Sequence, residues 1–416
     1  MKKMLLMAMA MGIMTSCGAA VKRAEEGEKL ERLRSMRASS VVPVGTELEE
    51  DRGRQVINYC FQKGIWLSYV DLAPMLSTDD EDELERRFSA ACQEISDLGC
   101  NTVYFHVRAF GDALYKSELY PPAESVMGDL DPLDIFCRTA HSYGLSVHAW
   151  INPLRLQGES ELGRTDEKYQ TARWYKEDSG QVRTAEGSPF LWLDPAYPEV
   201  RELIAEGAAE IVKNYPVDGI HYDDYFYPTT DEEFDRESFE KMSGGRELSR
   251  FRLDNTDLMC REIYSQVKAA APEVKVGISP QGNTWNDLNV LYADVGLWCR
   301  EEGRCDYIMP QIYFGYDDPV KPFSSTLAEW TEMCRSGTVD LCIGLGAYKI
   351  SSDGEFQEDS GIIARQIGDC TGAENCQGVS LYGFSALFAP ENGSEKRAGE
   401  DRKLIKDALS AAGGDR

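Results

Sequence analysis

The sequence predicts an α/β protein built as a single (β/α)8 barrel, the TIM barrel, with extended loops at the C-terminal face of its strands. Two observations predict this fold. Eight short apolar segments alternate with segments of helical periodicity from about residue 63 onward, and no change of composition marks a second domain. The G-x-G-x-x-G and G-x-x-x-x-G-K-[ST] motifs of open nucleotide-binding sheets are absent from the sequence.

Each predicted strand is a short apolar run bounded by polar or turn-forming residues. The first reads GIWLSYVDL and the fourth reads DGIHYDD. The eight runs are residues 64–72, 101–108, 145–153, 218–224, 274–280, 306–314, 340–348 and 377–385.

The segments between the strands carry apolar residues every three or four positions, as amphipathic helices do. The apolar stripe of residues 81–98 consists of Leu84, Phe88, Ala91, Cys92, Ile95 and Leu98. Residues 131–144 begin with Asp131 as the N-cap and Pro132 in the first turn, and they end at Gly144. Further helices are predicted over residues 198–216, 247–271 and 400–412.

The first 17 residues, MKKMLLMAMAMGIMTSC, have the pattern of a secretory signal peptide. Their MTSC end resembles the lipobox of bacterial lipoproteins, with Met14 where that box usually has Leu. We therefore expect an extracytoplasmic protein that is either secreted or held at a membrane only through a lipid on Cys17. Residues 18–55 are charged and irregular, which predicts a spacer ahead of a barrel domain at residues 56–416.

The charge of the chain argues against a nucleic-acid partner. Its formal net charge is -27 at pH 7 and its pI is about 4.6. Nucleic-acid binding depends on a basic stripe or patch, and such an excess of carboxylates leaves none. The charge is otherwise typical of a soluble surface.

The longest polar segments follow the second, third and fourth predicted strands, at residues 109–130, 152–197 and 225–246. All three lie where a strand leads into a helix, and most of the opposite connections are short. In barrels of this class the active site lies on the face that these loops form. The asymmetry therefore predicts which end of the barrel is functional.

Side chains alternate between the two sides of a strand, so polar residues two positions apart share a side. Strands two, three, four and six each bring such residues toward the mouth of the barrel. They are Tyr104, His106 and Arg108; His148, Trp150 and Asn152; His221 and Asp223; and Gln311 and Tyr313. These groups predict a polar binding site at the mouth, and the alternative is a polar plug whose members satisfy one another.

A metal site is the other common use of His and Asp in a barrel. The first strand, WLSYVDL, lacks the H-x-H pair that metal-dependent hydrolase barrels usually bring, and the other histidines come one per strand. The cysteines do not form paired C-x-x-C motifs. We therefore expect neither a metal ion nor another cofactor.

Asp223 and Asp224 stand side by side at the end of the fourth strand, followed by Tyr225, Phe226 and Tyr227. Glycoside hydrolysis requires one carboxylic acid to protonate the leaving oxygen and usually a second carboxylate to stabilise or attack the sugar cation. Neighbouring residues at a strand end point in different directions, so one carboxyl can stay protonated while the other ionises. The adjacent aromatic rings suit stacking against sugars, although ordinary packing explains any one of them equally well.

Seven segments together resemble the glycosyl-hydrolase-like family 10, a group of bacterial extracytoplasmic (β/α)8 proteins that are often lipoproteins. They are GIWLSYVD, VYFHVRAFGDALYKS, HAWINPLR, WLDPAYPEVRELI, VDGIHYDDYFYP, VGISPQGN and PQIYF, in that order over about residues 60–390. The resemblance implies a glycosidase-type barrel acting on a cell-envelope polysaccharide, since the family includes a division-associated hydrolase that cuts peptide-free peptidoglycan strands. The pocket residues it implies are Arg108, Asp112, His148, Asn152, Arg155, Asp223, Asp224, Gln311 and Tyr313.

The source of the second catalytic group stays open at this point. Many retaining barrel glycosidases take a nucleophile from the seventh strand, but CIGLGAYKIS has no carboxylate before Asp353. The two aspartates would then act with a carboxylate such as Asp112 or Asp317, or with an N-acetyl group of the substrate in place of the nucleophile. We expect a glycoside hydrolase acting on an N-acetylated glycan such as peptide-free peptidoglycan. The alternatives are a non-catalytic surface glycan-binding barrel and a metal-dependent deacetylase or amidase.

Overall fold

The computed structural model describes residues 56–350, 354–390 and 393–412. Eight of the strands in these residues form a closed, parallel barrel. The predicted (β/α)8 fold is confirmed. The barrel strands are β1 (Gln62–Leu67), β2 (Thr102–Arg108), β3 (Ser146–Ile151), β6 (Gly219–Asp223), β7 (Lys275–Ser279), β8 (Tyr307–Ile308), β9 (Asp340–Leu345) and β10 (Cys376–Leu381). Their order around the barrel is β1-β10-β9-β8-β7-β6-β3-β2.

Helices pack around the barrel between successive strands. The longest are Glu81–Leu98, Pro132–Ser142, Pro198–Asn214, Leu248–Ala270, Phe323–Met333, Ile362–Gly372 and Glu395–Ala411. Shorter helical segments are Tyr69–Leu72, Glu159–Arg164, Gln170–Glu177, Arg236–Met242, Thr284–Asn289, Val295–Trp298, Ala347–Lys349, Gly354–Glu358 and Phe384–Phe388. The apolar stripe predicted for the helix Glu81–Leu98 is buried at all six positions. None of the helices in the described residues has the length and apolar character needed to cross a membrane.

All eight barrel strands are shorter than the predicted runs, and for the first and the sixth the local structure gives the reason. The first ends at Leu67, because Ser68 and Asp71 form a capping box that starts the helix Tyr69–Leu72. The sixth is reduced to Tyr307–Ile308, since Pro310 has no backbone N–H to donate. Beyond the proline, Gln311 continues the sheet only as isolated bridges to its neighbours.

The long segment after β3 contains structure that the sequence analysis did not predict. It holds the helices Glu159–Arg164 and Gln170–Glu177 and a two-stranded antiparallel hairpin, β4 (Val182–Thr184) with β5 (Leu191–Leu193). An antiparallel bridge from Arg155 to Trp192 joins this hairpin to the exit of β3. The segment therefore forms a wall of the barrel mouth.

The predicted signal peptide, the spacer and Cys17 lie outside the described residues, and so does Asp353. The apolar core lies between the barrel wall and the helices, with a smaller apolar cluster inside the barrel. That inner cluster includes Trp66, Tyr104, Trp150 and Tyr307. The mouth of the barrel sits directly above it.

Candidate active site

Two adjacent carboxyl groups occupy the end of β6. The Asp223 side chain is only 4% exposed, and its Oδ1 accepts a hydrogen bond of 2.5 Å from Nδ2 of Asn152, which follows β3. The partly exposed Asp224 accepts a hydrogen bond of 3.1 Å from Nε2 of Gln311, which follows β8. The two carboxyls therefore turn toward opposite sides of β6, as expected for neighbours at a strand end.

The protonation of the two carboxyls differs. Burial raises the pKa of Asp223 well above its ordinary value, and the charge of Asp224 raises it further. Burial also raises the pKa of Asp224, but hydrogen bonds from the side chains of Gln281 and Gln311 oppose that rise. The pair therefore combines a neutral and an ionised carboxyl over a range of pH, the state that acid-assisted cleavage requires.

Asn152 and Arg155 hold the pair from the β3 side. Nη2 of Arg155 donates to Oδ1 of Asn152 over 2.6 Å, so the Asn152 amide must aim its Nδ2 at Asp223. Nε2 of His106 also lies 3.1 Å from the same Asn152 oxygen. An oxygen with two donors fixes the rotamer of the amide, which makes Asn152 a rigid link between three neighbours.

The guanidinium of Arg155 is buried among aromatic rings. It lies 3.9 Å from the ring centroid of Tyr225, 4.5 Å from that of Phe110 and 5.4 Å from that of Phe190. Its positive charge lowers the pKa of both Asp223 and Asp224. Arg155 is thus the cation of the site, held by stacking and by its hydrogen bond from Nε to the Ala109 carbonyl.

His148 and His221, which we predicted to bind substrate at the mouth, lie inside the barrel below the mouth. The structure therefore corrects the prediction for both histidines. Nδ1 of His148 and Nδ1 of His221 are 2.8 and 2.9 Å from the Tyr307 hydroxyl. Nε1 of Trp66 donates to Nε2 of His221, so that ring is neutral and carries its proton on Nδ1. Burial lowers the pKa of His148 to about 3. These histidines form the self-satisfied polar layer that was the alternative to a binding role.

Glycines make room for this inner layer. A Cβ on Gly219 would lie 2.4 Å from the His148 ring, and one on Gly277 would lie 1.9 Å from the Tyr307 ring. Above the layer, the Trp150 ring stacks on the His106 ring with centroids 3.7 Å apart. Trp150 therefore forms the floor of the mouth beneath Asn152 and Asp223.

Arg108 does not reach the mouth, and the prediction for this residue is wrong. The pairing of β2 with β3 shifts between His106 and Arg108, whose partners are the consecutive residues Trp150 and Ile151. This bulge inserts one residue and reverses the alternation of sides. The guanidinium of Arg108 instead lies outside the barrel wall, 4.1 Å from the centroid of the Tyr120 ring.

The remaining predicted residues lie around the carboxyl pair. Tyr225 stacks on Trp192 with centroids 6.1 Å apart, and Tyr313 stacks on Tyr382 with centroids 5.9 Å apart. Burial raises the pKa of Tyr313, and the charges of Asp224 and Asp223 add to this. Asp112 faces a cleft to one side, where its Oδ1 accepts a hydrogen bond of 3.1 Å from the Phe110 backbone.

Sequence reasoning missed two residues that support Asp224. The Gln281 side chain hydrogen-bonds Asp224, and the Gln281 backbone donates over 3.0 Å to Oδ1 of the buried Asp287. Gln281 lies two positions beyond Ser279, the last residue of β7, so the same alternation rule would have found it. No local pattern marks Asp287, which reaches the site from the helix Thr284–Asn289.

In the ranges that the structure describes, no three His, Cys, Asp or Glu side chains are grouped as a metal site needs. A cleft of about 840 Å³ lies beside the mouth between the loops that follow β1, β2 and β3. Asp223 and Asp224 are not among the residues that line it, so the cleft and the carboxyl pair are neighbouring features.

A sequence model of the family described as glycosyl hydrolase-like 10 matches residues 62–360 of this chain. The glycosyl hydrolase DigH of Escherichia coli K12 is 30% identical over 335 residues, covering 71% of this chain and 75% of the relative. The glycosyl hydrolase YngK of Bacillus subtilis 168 is 29% identical over 302 residues, covering 65% of this chain and 57% of the relative.

Solved structures with the same fold include glycoside hydrolase barrels. The glycoside hydrolase domain of PgaB (BpsB) from Bordetella bronchiseptica superposes with a TM-score of 0.54 at 13% identity, covering 83% of this chain and 99% of that domain. An endo-1,4-β-mannanase from Rhizomucor miehei superposes with a TM-score of 0.53 at 10% identity, covering 84% and 95% of the two chains. At identities this low, the likeness shows a shared fold alone.

Proposed function

The chain belongs to the glycosyl hydrolase-like 10 family, and from this membership we propose that it is a glycoside hydrolase of N-acetylated cell-wall glycans. Peptide-free peptidoglycan strands are the substrate that we propose first. Asp223 and Asp224 are the catalytic carboxyl groups. Asn152, Arg155 and Gln311 position them, and the surrounding tyrosines bind the sugar rings.

The observation that carries this proposal is the carboxyl pair at the end of β6. Both groups have a raised pKa, and each is held by an amide donor from a different side of the barrel. Burying two like charges side by side is costly, so one carboxyl stays protonated, and groups perturbed in this way are typical of functional sites. Glycosidic bond cleavage uses such a combination of an acid and a carboxylate.

The surroundings favour the substrate's own N-acetyl group as the nucleophile. Leu345 ends β9 at the mouth, and the described residues that follow it, up to Ile350, contain no carboxylate. Asp317 is exposed and its backbone is tied to Glu355, while Asp112 turns into the neighbouring cleft. The acetamido oxygen would therefore bond to the anomeric carbon as the leaving oxygen departs with a proton from one aspartate. The other aspartate would orient the acetamido group, and water would then open the cyclic intermediate.

Aromatic rings around the pair suit the apolar faces of sugar rings. Tyr313 and Tyr382 stack on one side, and Tyr225 and Trp192 stack on the other. The hydroxyl group of a tyrosine can hydrogen-bond a sugar while its ring contacts the sugar's C–H face. This arrangement supports a carbohydrate ligand at the mouth whether or not the bond is cut.

The experiment is incubation of the purified full-length chain in detergent with peptide-free glycan strands, followed by mass spectrometry of the products. We expect shortened chains with new reducing ends. Asp223→Asn and Asp224→Asn should each abolish cleavage while leaving the circular dichroism spectrum unchanged, and Asp317→Asn is the matched control. Equal rates in wild type and both variants would remove the assignment of the pair.

A second candidate is a surface barrel that binds glycan without cutting it. The lack of a carboxylate in the described residues that immediately follow β9 favours it, because many retaining barrels use such a residue as the nucleophile. Oligosaccharide binding with no product after long incubation would support this alternative. A chelator-sensitive loss of an N-acetyl or amide group would instead indicate a deacetylase or amidase.

We also propose that the protein acts outside the cytoplasm, anchored through a lipid on Cys17. The support is the signal-like sequence of residues 1–17. Metabolic labelling with a radioactive fatty acid should mark the wild-type chain and not Cys17→Ser. Equal labelling of the wild-type protein and the Cys17→Ser variant would overturn the proposal that Cys17 carries a lipid anchor.

A further inference from the structure

The cleft beside the mouth is large enough for more than one sugar ring. Its volume of about 840 Å³ lies in the range, roughly 300–1,000 Å³, of sites that bury most of a drug-sized ligand. Its floor is apolar, with Leu72, Leu76 and Leu114 among the lining residues. Tyr69, 41% exposed, stands at its edge with its ring against that of Phe110.

One layer of side chains separates this cleft from the carboxyl pair. His106 lines the cleft and contacts Asn152, which donates to Asp223. Phe110 and Phe190 also line it, and both rings face the Arg155 guanidinium. A chain bound across the carboxyl pair can therefore continue into the cleft without leaving the surface of the protein.

A buried histidine, His106, lies beneath the cleft. His106 is buried, and its Nδ1 has no hydrogen-bond partner among the described residues. Because Nε2 faces an oxygen that already accepts from Arg155, Nε2 carries the proton and Nδ1 is an acceptor. Burial and the charge of Arg155 lower the pKa of His106 well below its ordinary value, so the ring stays neutral. The neutral His106 ring therefore adds no charge beneath the cleft.

The rim of the cleft carries charges of both signs. Glu124, Glu161 and Asp166 line it together with Arg164 and Lys168. The three rim carboxylates and the protein's net charge of -27 would repel a densely anionic polysaccharide. A ligand of low charge density, with apolar ring faces and hydrogen-bond donors, fits this lining better.

From these contacts we infer that the cleft binds the continuation of the same glycan chain on one side of the cleaved bond. The protein then cuts within long chains and does not trim single sugars from an end. This inference rests on the proposed function, since it assigns an extended subsite to the same enzyme. Tyr69, Phe110 and Phe190 are its stacking residues.

The test compares kcat/KM on β-1,4-linked N-acetylglucosamine oligomers of increasing length and on peptide-free glycan strands. We expect kcat/KM to rise with chain length and the first products to be internal fragments. Tyr69→Ala and Phe110→Leu should lower the ratio of long-chain to short-chain kcat/KM about three- to tenfold, the size of one lost aromatic contact. Tyr69→Phe should keep the ratio, and Leu258→Ala, on the outer helix Leu248–Ala270, is the control.

The outcomes separate this inference from the proposed function. Cleavage with no dependence on length, or with equal ratios in wild type, Tyr69→Ala and Phe110→Leu, would overturn the subsite and leave the hydrolase standing. If no glycan is cut, calorimetric binding of the same oligomers replaces the rates. Binding that weakens in Tyr69→Ala and Phe110→Leu then supports the subsite alone, and binding equal in all variants overturns it.

Discussion

The Asn152 side chain donates its Nδ2 hydrogen to Oδ1 of Asp223 across 2.5 Å, while its own oxygen accepts from Arg155 across 2.6 Å. The amide therefore holds the buried Asp223 carboxyl at a fixed position relative to the buried Arg155 guanidinium. The hydrogen bond from the charged Arg155 guanidinium is stronger than a neutral one, so it fixes the Asn152 amide and, through it, constrains Asp223 more firmly than packing alone would.

Replacing Asn152 by Ala removes the only side-chain amide that hydrogen-bonds Asp223 among the described contacts. We expect kcat on glycan strands to fall about 10- to 100-fold, corresponding to roughly 1.5–3 kcal/mol for such a hydrogen bond. Because that bond lowers the pKa of Asp223, the variant's pH–rate profile should also shift to higher pH.

Asn289→Ala is the matched control for this prediction, since the Asn289 side chain bonds only an exposed backbone carbonyl, that of Trp285. A profile in Asn152→Ala that keeps its shape and position while kcat falls would indicate general misfolding of the mouth. It would contradict the positioning role of Asn152.

Asp223→Asn should inactivate the protein and stabilise it at neutral pH. The folded pKa of Asp223 is raised, so between about pH 4, near the pKa of about 3.9 in the unfolded chain, and that raised value the folded state holds a proton that the unfolded state has lost. The protonated Asp223 contributes its full stabilisation below about pH 4. This contribution is lost as the pH rises through the raised pKa of the folded state. The melting temperature of Asp223→Asn should match wild type near pH 4 and exceed it at pH 7, measured by calorimetry.

The control is Asp129→Asn, because the Asp129 side chain is exposed and forms only a surface ion pair with Lys116. Its melting temperature should stay close to wild type throughout. An Asp223→Asn protein that melts below wild type at pH 7 would contradict the cost that we assign to ionising this carboxyl.

Gly207→Ala tests the position of Arg108. An alanine in a helix usually stabilises by roughly 1 kcal/mol relative to glycine, and Gly207 lies in the helix Pro198–Asn214. Here the new Cβ would lie 2.4 Å from Nη1 of Arg108 and 2.5 Å from the Tyr120 ring. We therefore expect a loss of about 1–3 kcal/mol, the usual cost of overpacking, in urea unfolding.

Gly368→Ala provides the comparison, since Gly368 also lies in a helix and a Cβ added there would meet no atom within 4 Å. That variant should be as stable as wild type or slightly more so. Equal stabilisation by both alanines would place Arg108 elsewhere and restore the original prediction for it.

Arg252→Ala should destabilise the protein by about 3–5 kcal/mol, because it leaves the Asp235 carboxylate buried without its partner. Arg252 donates to both Asp235 oxygens, at 2.9 and 2.6 Å, and both side chains are fully buried. It also donates to the Asp231 carbonyl in the loop after β6, so activity should fall as well. Chemical denaturation measures the first effect and glycan cleavage the second.

Arg250→Ala, two residues away on the same helix, removes an exposed ion pair with Asp254. The loss there should stay below about 1 kcal/mol. Similar losses in the two variants would mean that the buried pair contributes no more than a surface pair.

The alternation rule predicted the site only where the strands run without interruption. It placed Asp223 correctly on the inward side of β6, and it placed His148 and His221 inside the barrel. It failed for Arg108, because a bulge between β2 and β3 reverses the alternation after His106. A bulge leaves no mark in the local sequence, since it is set by the pairing of two strands.

The depth of a residue along the barrel axis likewise could not be predicted from the sequence. His148, His221 and Asp223 look equivalent as polar groups near strand ends. Only the register of the closed sheet places Tyr307 beside both histidines and Asn152 beside Asp223. The loop residues Tyr69, Phe110 and Phe190 meet through contacts that no periodicity encodes.

The sequence by itself determined the barrel, the end at which its long loops lie and the adjacency of the two aspartates, because these follow from apolar periodicity, loop length and the order of residues along one strand. The tertiary structure decided which polar groups belong to the interior, which reach the mouth and where a second cleft forms. The physical reason is that periodicity is a property of one segment, whereas register, bulges and loop packing arise from contacts between segments far apart in the chain.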